Sequence, residues 1–288
     1  MKKIEQAAAF LREHRDLFKC PVCGDTFLTV VGHSLECQNK HSFDLSRKGT
    51  LYLITHKIKS EYDSAKMWQA RRKMLTLGLF DQIVQAINAA MPTDKDLNIL
   101  DIGSGEGTTS AKLEQLRKAN VDTTIGIDIS KSAVNLATSY QSNNFFCVAD
   151  LAALPFANEA FDCITDIFSP AAYQEFKRVL RPGGQIYKII PNSGYLKELR
   201  QLLYPQESEH RTYDNSAVLS LFAKNFPNYR QQDIQYTFKF PEEDFGSLLM
   251  MTPLNWGASD EIKQQVLSTP LRQITVDVSL LVATKEIN

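Results

Sequence analysis

The sequence predicts a doubly wound α/β sheet with a small metal-clipped module in front of it, and three observations carry that expectation. Short apolar runs alternate with helix-like stretches from residue 97 onward. The first of those runs leads directly into a glycine-rich loop. Ahead of them, four metal-type ligands fall at zinc-ribbon spacing between Cys20 and His41.

The front module is read first. Cys20-x2-Cys23 is followed after thirteen residues by Cys37-x3-His41. Three thiolates and one imidazole are a closed tetrahedral set for a structural zinc ion. Pro21 and Gly24 suit the tight turn that aims Cys20 and Cys23 at one ion. The stretch TFLTVVGHSLEC is β-branched around Gly32 and reads as a hairpin that carries the second ligand pair. His33 at the hairpin tip competes as a ligand, but its spacing to Cys37 is less usual. A redox CxxC would open a helix after a strand, which nothing here resembles. Cys147 and Cys163 lie in apolar strand-like runs and are expected as inert core thiols.

At 288 residues, with 43% hydrophobic and 23% charged residues, the chain has ample core for a folded domain. No apolar run approaches a membrane span. The start, MKKIEQAAAFLREHRDLF, reads as an amphipathic helix rather than a signal peptide, so a cytoplasmic location is expected. The net charge of −1 hides an asymmetry: residues 1–80 hold 14 Lys and Arg against 8 Asp and Glu, the rest 18 against 25. A basic front on an acidic body suits a front that meets phosphate.

In the body, LNILDIGSGEGTTSAKLEQL reads as strand, loop and helix, with Gly103, Gly105 and Gly107 letting the backbone turn close to a ligand. TTIGIDIS is a second strand ending in Asp128, placed to accept from ribose hydroxyls. A third strand ends in Asp150 followed by Leu151, which suits an adenine amino group and ring edge; FDCITDIFSP gives a fourth strand and the region after RVLRPGG a fifth. The loop pattern G-S-G-E-G-T puts Thr108 where a dinucleotide site needs its last Gly or Ala. It also begins with Asp101, an anion that repels pyrophosphate but suits the sulfonium and ammonium of S-adenosylmethionine. S-adenosylmethionine is therefore the expected cofactor. Two long alternating runs, NYRQQDIQYTFKF and LRQITVDVSLLVATK, without a crossover helix between them, predict an antiparallel pair closing the sheet. PEEDFGSLLMMTPLNW would lie over the pocket mouth. The class expected is a class I, Rossmann-like S-adenosylmethionine-dependent methyltransferase with a seven-stranded mixed sheet. Its expected divisions are a zinc module over 1–60, a helical cap over 61–92 and a catalytic domain over 93–288.

The zinc clip, YDSAKMWQARRKMLTLGLF, LDIGSGEG, PFANEAFDCITDIFSP and LLMMTPLNW together resemble the bacterial 23S rRNA (guanine-N1)-methyltransferases, from about Cys20 to the end of the chain. The helix expected over residues 1–18 resembles the Gram-positive branch. The resemblance implies methylation of a guanine N1 in a hairpin loop of domain II of 23S rRNA, and a homodimer whose zinc modules flank the RNA cleft. No DNA partner is implied.

Lys40, Arg47, Lys48, Lys57, Lys59, Arg71 and Arg72 are the candidate phosphate contacts in the basic front. Guanine N1 carries a proton at neutral pH, so a general base would help; Asp166 is the candidate, with Phe168 placed to stack on the base. Trp68 and Trp256 are candidates for stacking or for core. A rival reading makes the helix bearing Arg71 and Arg72 a lid, with an arginine on the cofactor's carboxylate. Two other functions share parts of the pattern: a quinone-type small-molecule methyltransferase and a non-catalytic RNA-binding protein that retains the pocket.

Overall fold

The computed structural model describes every residue except 57–63, 206, 209–210 and 288. Lys57 and Lys59 therefore lie outside the described residues. Helix α1 (Lys3–His14) leads into a hairpin of β1 (Phe27–Val31) and β2 (Ser34–Cys37), joined antiparallel by β3 (Ser42–Asp44). Gly32 makes the hairpin turn at φ +58°, a conformation that costs glycine little. This ribbon places Cys37 opposite Phe27, close to the Cys20–Cys23 turn.

The main sheet is built from β5 (Asn98–Ile102), β6 (Thr123–Asp128), β7 (Phe145–Val148), β8 (Phe161–Ile167), β9 (Leu180–Pro191), β10 (Arg230–Lys239) and β11 (Gln273–Thr284). With β4 (Leu51–Tyr52) at one edge, its order is β10-β11-β9-β8-β5-β6-β7-β4, parallel in the middle and antiparallel across β9, β11 and β10. The long alternating pair closes the sheet as the sequence predicts. One strand was not expected: β4 (Leu51–Tyr52), the end of the zinc module, pairs parallel with β7. The sheet thus has eight strands rather than seven. Two residues are too few to leave a periodic signal, so β4 is set by tertiary pairing.

Both sheet faces are covered, which is why the strands read as continuous apolar runs. Leu100 and Ile102 of β5 point into one core with Ile125, Ile127, Phe156 and Leu11 of α1. Leu97 and Ile99 point into the other, with Met74 of α2 (Ala65–Thr76) and Val84 and Ile87 of α3 (Asp81–Ala90). Phe10 of α1 stacks on Phe145 at 4.7 Å, and Phe18 packs on Phe156 at 5.3 Å. The front module is therefore fastened to the sheet by an apolar helix face and a shared strand edge. The order reverses between β5 and β8, where a parallel sheet opens its ligand crevice.

Candidate active site and metal centre

The four expected metal ligands converge. Among the described residues, Cys20, Cys23, Cys37 and His41 are the group that could hold a metal ion, with ligand atoms all within 4.8 Å of one another. His41 Nδ1 lies 3.6 Å from Cys20 Sγ and 3.4 Å from Cys37 Sγ; Cys23 Sγ lies 3.8 Å from Cys37 Sγ. A zinc tetrahedron with bonds of about 2.3 Å to sulfur and 2.0 Å to nitrogen has edges of roughly 3.5–3.8 Å. The donor set and its spacing fit zinc. His33 is excluded as a rival: its Nε2 faces Glu5 Oε1 at 2.8 Å.

The cofactor crevice is built on the loop after β5. Gly103, Gly105 and Gly107 all have positive φ (+66°, +57° and +85°), so the chain there follows a path open to glycine. Helix α4 (Thr108–Leu116) starts directly behind. Asp128, at the end of β6, accepts from the Gly105 N–H at 3.0 Å and the Ser130 N–H at 2.8 Å, leaving lone pairs for ribose hydroxyls. Burial raises its carboxyl pKa, an effect its hydrogen bonds and the charge of Arg71 offset in part. Asp150 caps the turn at Leu151 by accepting from the Ala152 N–H at 2.9 Å, and His56 Nε2 stands 3.5 Å from its other oxygen. The segment leaving the zinc module thus passes close to Asp150. Ser104 Oγ is buried in the loop with no hydrogen-bond partner among the described residues, a group awaiting a ligand. These features fit S-adenosylmethionine.

Asp101 sits deeper than its place in the motif suggests. It is 5% exposed, accepts from the Ser110 hydroxyl and from Thr165 Oγ1 at 2.8 Å, and burial pushes its pKa up to about 6.

Asp166 lies in the core at the end of β8. It is fully buried, and Lys188 of β9 donates to it at 2.6 Å while the Ser169 N–H donates at 3.0 Å. With no exposed surface and an ammonium partner, Asp166 is poorly placed to take a guanine proton; what its contacts do is hold the turn. Burial raises its pKa to about 6, with Lys188 opposing. Phe168 follows in that turn at φ +64° and faces the crevice, packing on Phe80 at 5.5 Å and Tyr195 at 5.0 Å.

The two arginines of α2 divide. Arg72 donates to Glu106 Oε2 at 2.7 Å, to the carbonyls of Glu106 and Leu136 and to the Ser139 hydroxyl, and lies over the Tyr140 ring at 4.3 Å. Glu106 is 1% exposed, so this guanidinium neutralises a buried anion inside the glycine loop. Four of the five N–H donors of Arg72 are engaged within the protein, which leaves it less available to a phosphate than Arg71. Arg71 faces the crevice instead, 5.9 Å from the Trp68 ring centroid and 5.6 Å from that of Phe80. Trp68 is buried, donates to Ser130 Oγ at 2.9 Å and lies where a side chain on Gly105 would fall, 2.9 Å from the position of its Cβ. Lys73, next on α2, pairs with Asp244 beside the helix Phe245–Met251, which was expected over the mouth; Trp256 beyond it is 41% exposed. Arg47 and Lys48 are exposed on the turn before β4 with no side-chain partner among the described residues.

Lys188, Glu106, Tyr195 and Phe80 were not singled out from the sequence. A lone lysine in the apolar run QIYKIIP and an acid inside the glycine loop were the available signals.

A parallel sheet reversing at a glycine loop, acids ending its second and third strands and a closing antiparallel pair define a class I methyltransferase, here with a zinc ribbon built onto its edge. Family comparison agrees: residues 93–248 match a methyltransferase-domain family and residues 18–60 the family described as RlmA, N-terminal. YxjB of Bacillus subtilis, named as a 23S rRNA (guanine-N1)-methyltransferase, is 35% identical over 278 residues, covering 93% of this chain and 97% of its own. The 23S rRNA (guanine(748)-N(1))-methyltransferase of Streptomyces fradiae is 26% identical over 272 residues, 92% of this chain and 95% of its own. Among solved structures, YcgJ of Bacillus subtilis has 20% identity and a TM-score of 0.48 over 71% of this chain and 98% of its own. The chain belongs to the 23S rRNA (guanine-N1)-methyltransferase family.

Proposed function

We propose that the protein transfers the methyl group of S-adenosylmethionine to N1 of a guanine in a hairpin loop of domain II of 23S rRNA. The observation that carries this reading is the fusion of two sites on one sheet. The zinc module contributes β4 to the edge next to β7, whose end carries the adenine-side Asp150. A small-molecule methyltransferase has no use for a basic metal-clipped module at that edge, whereas a large RNA is recognised through phosphates and splayed loop bases. The relatives that span both parts of this chain are named for guanine N1 in 23S rRNA.

When bound by Asp128 and the glycine loop, the cofactor would supply an electrophilic methyl group to guanine N1, which would give up its proton as the N–CH3 bond replaces the S–CH3 bond. The chain's part is positional. Phe168, Phe80 and Tyr195 form an aromatic wall on which a flipped guanine stacks. Asp128 and the glycine loop fix the cofactor, and the Asp166–Lys188 pair holds the Phe168 turn. Arg47, Lys48 and Lys40, exposed on the ribbon side, supply phosphate contacts. The reading includes a homodimer acting in the cytoplasm; among the described residues no helix is long and apolar enough to cross a membrane. Deproteinised 23S rRNA incubated with the enzyme and methyl-labelled cofactor should yield labelled 1-methylguanosine on nucleoside digestion. Label in a lipid quinone fraction and none in RNA would overturn the reading.

A further inference from the structure

The geometry points to Arg71 as the group that binds the α-carboxylate of the cofactor's methionine end, so that α2 closes the cofactor site through a single ion pair. This inference rests on the cofactor reading above and names the ligand group its mouth recognises.

Every other strong cation on this part of α2 is engaged. Arg72 is held by Glu106 and three further acceptors, and Lys73 by Asp244. Arg71 alone of the three makes no hydrogen bond or ion pair among the described residues, although it is only partly exposed. Its guanidinium lies 5.9 Å from the Trp68 ring and 5.6 Å from the Phe80 ring, contacts that leave its five N–H donors unused. Such a cation is prepared for an incoming anion.

Its neighbours say which anion. Trp68 rests on Gly105, the middle of the loop that cradles the cofactor, and Gly105 donates to the ribose-side Asp128. Phe80 touches Phe168, which marks the reacting end. Through Trp68 on one side and Phe80 on the other, Arg71 stands between the loop held by the ribose acceptor and the Phe168 turn, where a methionine chain reaching from the ribose would pass. The only anion that chain carries is its carboxylate, and a guanidinium fork matches a carboxylate with two parallel hydrogen bonds. Without that partner a cation here would repel the sulfonium and ammonium of the same ligand.

The test is a calorimetric comparison on the full chain of S-adenosylhomocysteine with its decarboxylated analogue, in the wild type, Arg71→Gln and Arg71→Lys. The wild type should bind S-adenosylhomocysteine about ten- to a hundredfold more tightly than the analogue. Arg71→Gln should lose that preference while binding the analogue like the wild type, which also shows the site to be folded; Arg71→Lys should retain part of it. A wild type indifferent to the carboxylate, or an Arg71→Gln chain with unchanged S-adenosylhomocysteine affinity, overturns the inference while leaving the cofactor reading intact. A wild type that binds neither ligand removes both. The salt dependence of binding to a 23S rRNA hairpin should be the same in wild type and Arg71→Gln. A slope flatter by about one unit would place Arg71 on a phosphate instead and overturn the inference.

Discussion

Lys188 Nζ lies 2.6 Å from Asp166 Oδ2, with both side chains at or below 3% exposure, and the same ammonium donates to the Ser169 carbonyl at 2.8 Å. The pair links neighbouring strands in register and fastens the turn that holds Phe168 in a left-handed conformation, with Ser169 Oγ seated against Gly103. A buried ion pair contributes little net stability, but removing one partner leaves an uncompensated charge. Lys188→Met is expected to cost roughly 3–5 kcal/mol in urea unfolding, and adding Asp166→Asn should recover most of that. The double variant should fold yet turn over slowly, because the Phe168 turn has lost its fastening. A single variant as stable as the wild type would mean that the pair is not buried as described.

The metal centre makes its own prediction. Protein purified without added zinc should carry about one zinc per chain, since four ligands close the site. Cys37→Ala or His41→Ala should lose the metal and weaken binding to 23S rRNA, because the zinc substitutes for the core that so small a module lacks. A variant that keeps full metal and full RNA affinity would contradict the assignment.

Asp128→Ala should weaken S-adenosylhomocysteine binding by roughly 1.5–3 kcal/mol, the worth of hydrogen bonds to a charged acceptor. The change also frees the Gly105 and Ser130 N–H groups that Asp128 holds. Asp128→Asn, which keeps one acceptor oxygen, should lose less. Equal affinity in all three chains, measured by calorimetry, would displace the ribose from this strand end.

Asp101 predicts a pH dependence of stability. Its folded-state pKa of about 6 lies above the value of about 3.9 for an unfolded chain. Between those values the folded protein holds the extra proton, so this residue's contribution to stability falls as pH rises from about 4 to 6 and is constant above. Asparagine at 101 cannot ionise; like the protonated acid it keeps one acceptor oxygen for one of the two hydroxyls and turns a donor toward the oxygen of the other, Ser110 and Thr165 bonding different oxygens of Asp101. The stability of Asp101→Asn relative to wild type should therefore climb by roughly 2–3 kcal/mol across that window and then level off. A difference that stays flat from pH 4 to 7 would show that burial does not raise this carboxyl.

The sequence made the main strands of the sheet legible because each buried run is apolar, ends at an acid or a glycine loop, and is followed by a helix. The metal site was legible because ligand spacing alone constrains it. The functions of neighbouring side chains on one helix were not. Arg71 and Arg72 are adjacent in sequence but about 100° apart around α2. Which of them meets the glycine loop depends on how the helix is rotated, and that is set by Trp68 on Gly105 and Lys73 on Asp244. Asp166 ended a strand at the pocket, where a catalytic acid would stand; its partner Lys188 is a cross-strand neighbour that no local spacing reveals. β4 was invisible for the same reason: its two residues are strand only because β7 offers an open edge.

The most direct measurement is primer extension on 23S rRNA treated with the enzyme, with and without S-adenosylmethionine. A methyl group on guanine N1 blocks the Watson–Crick edge, so reverse transcriptase halts one nucleotide before the modified base. The expected result is a single cofactor-dependent stop at a guanine in a hairpin loop of domain II, absent from Asp128→Ala reactions at limiting cofactor. Methyl incorporation without any stop, or no incorporation into RNA at all, would contradict the assignment of N1 of an rRNA guanine as the methyl acceptor.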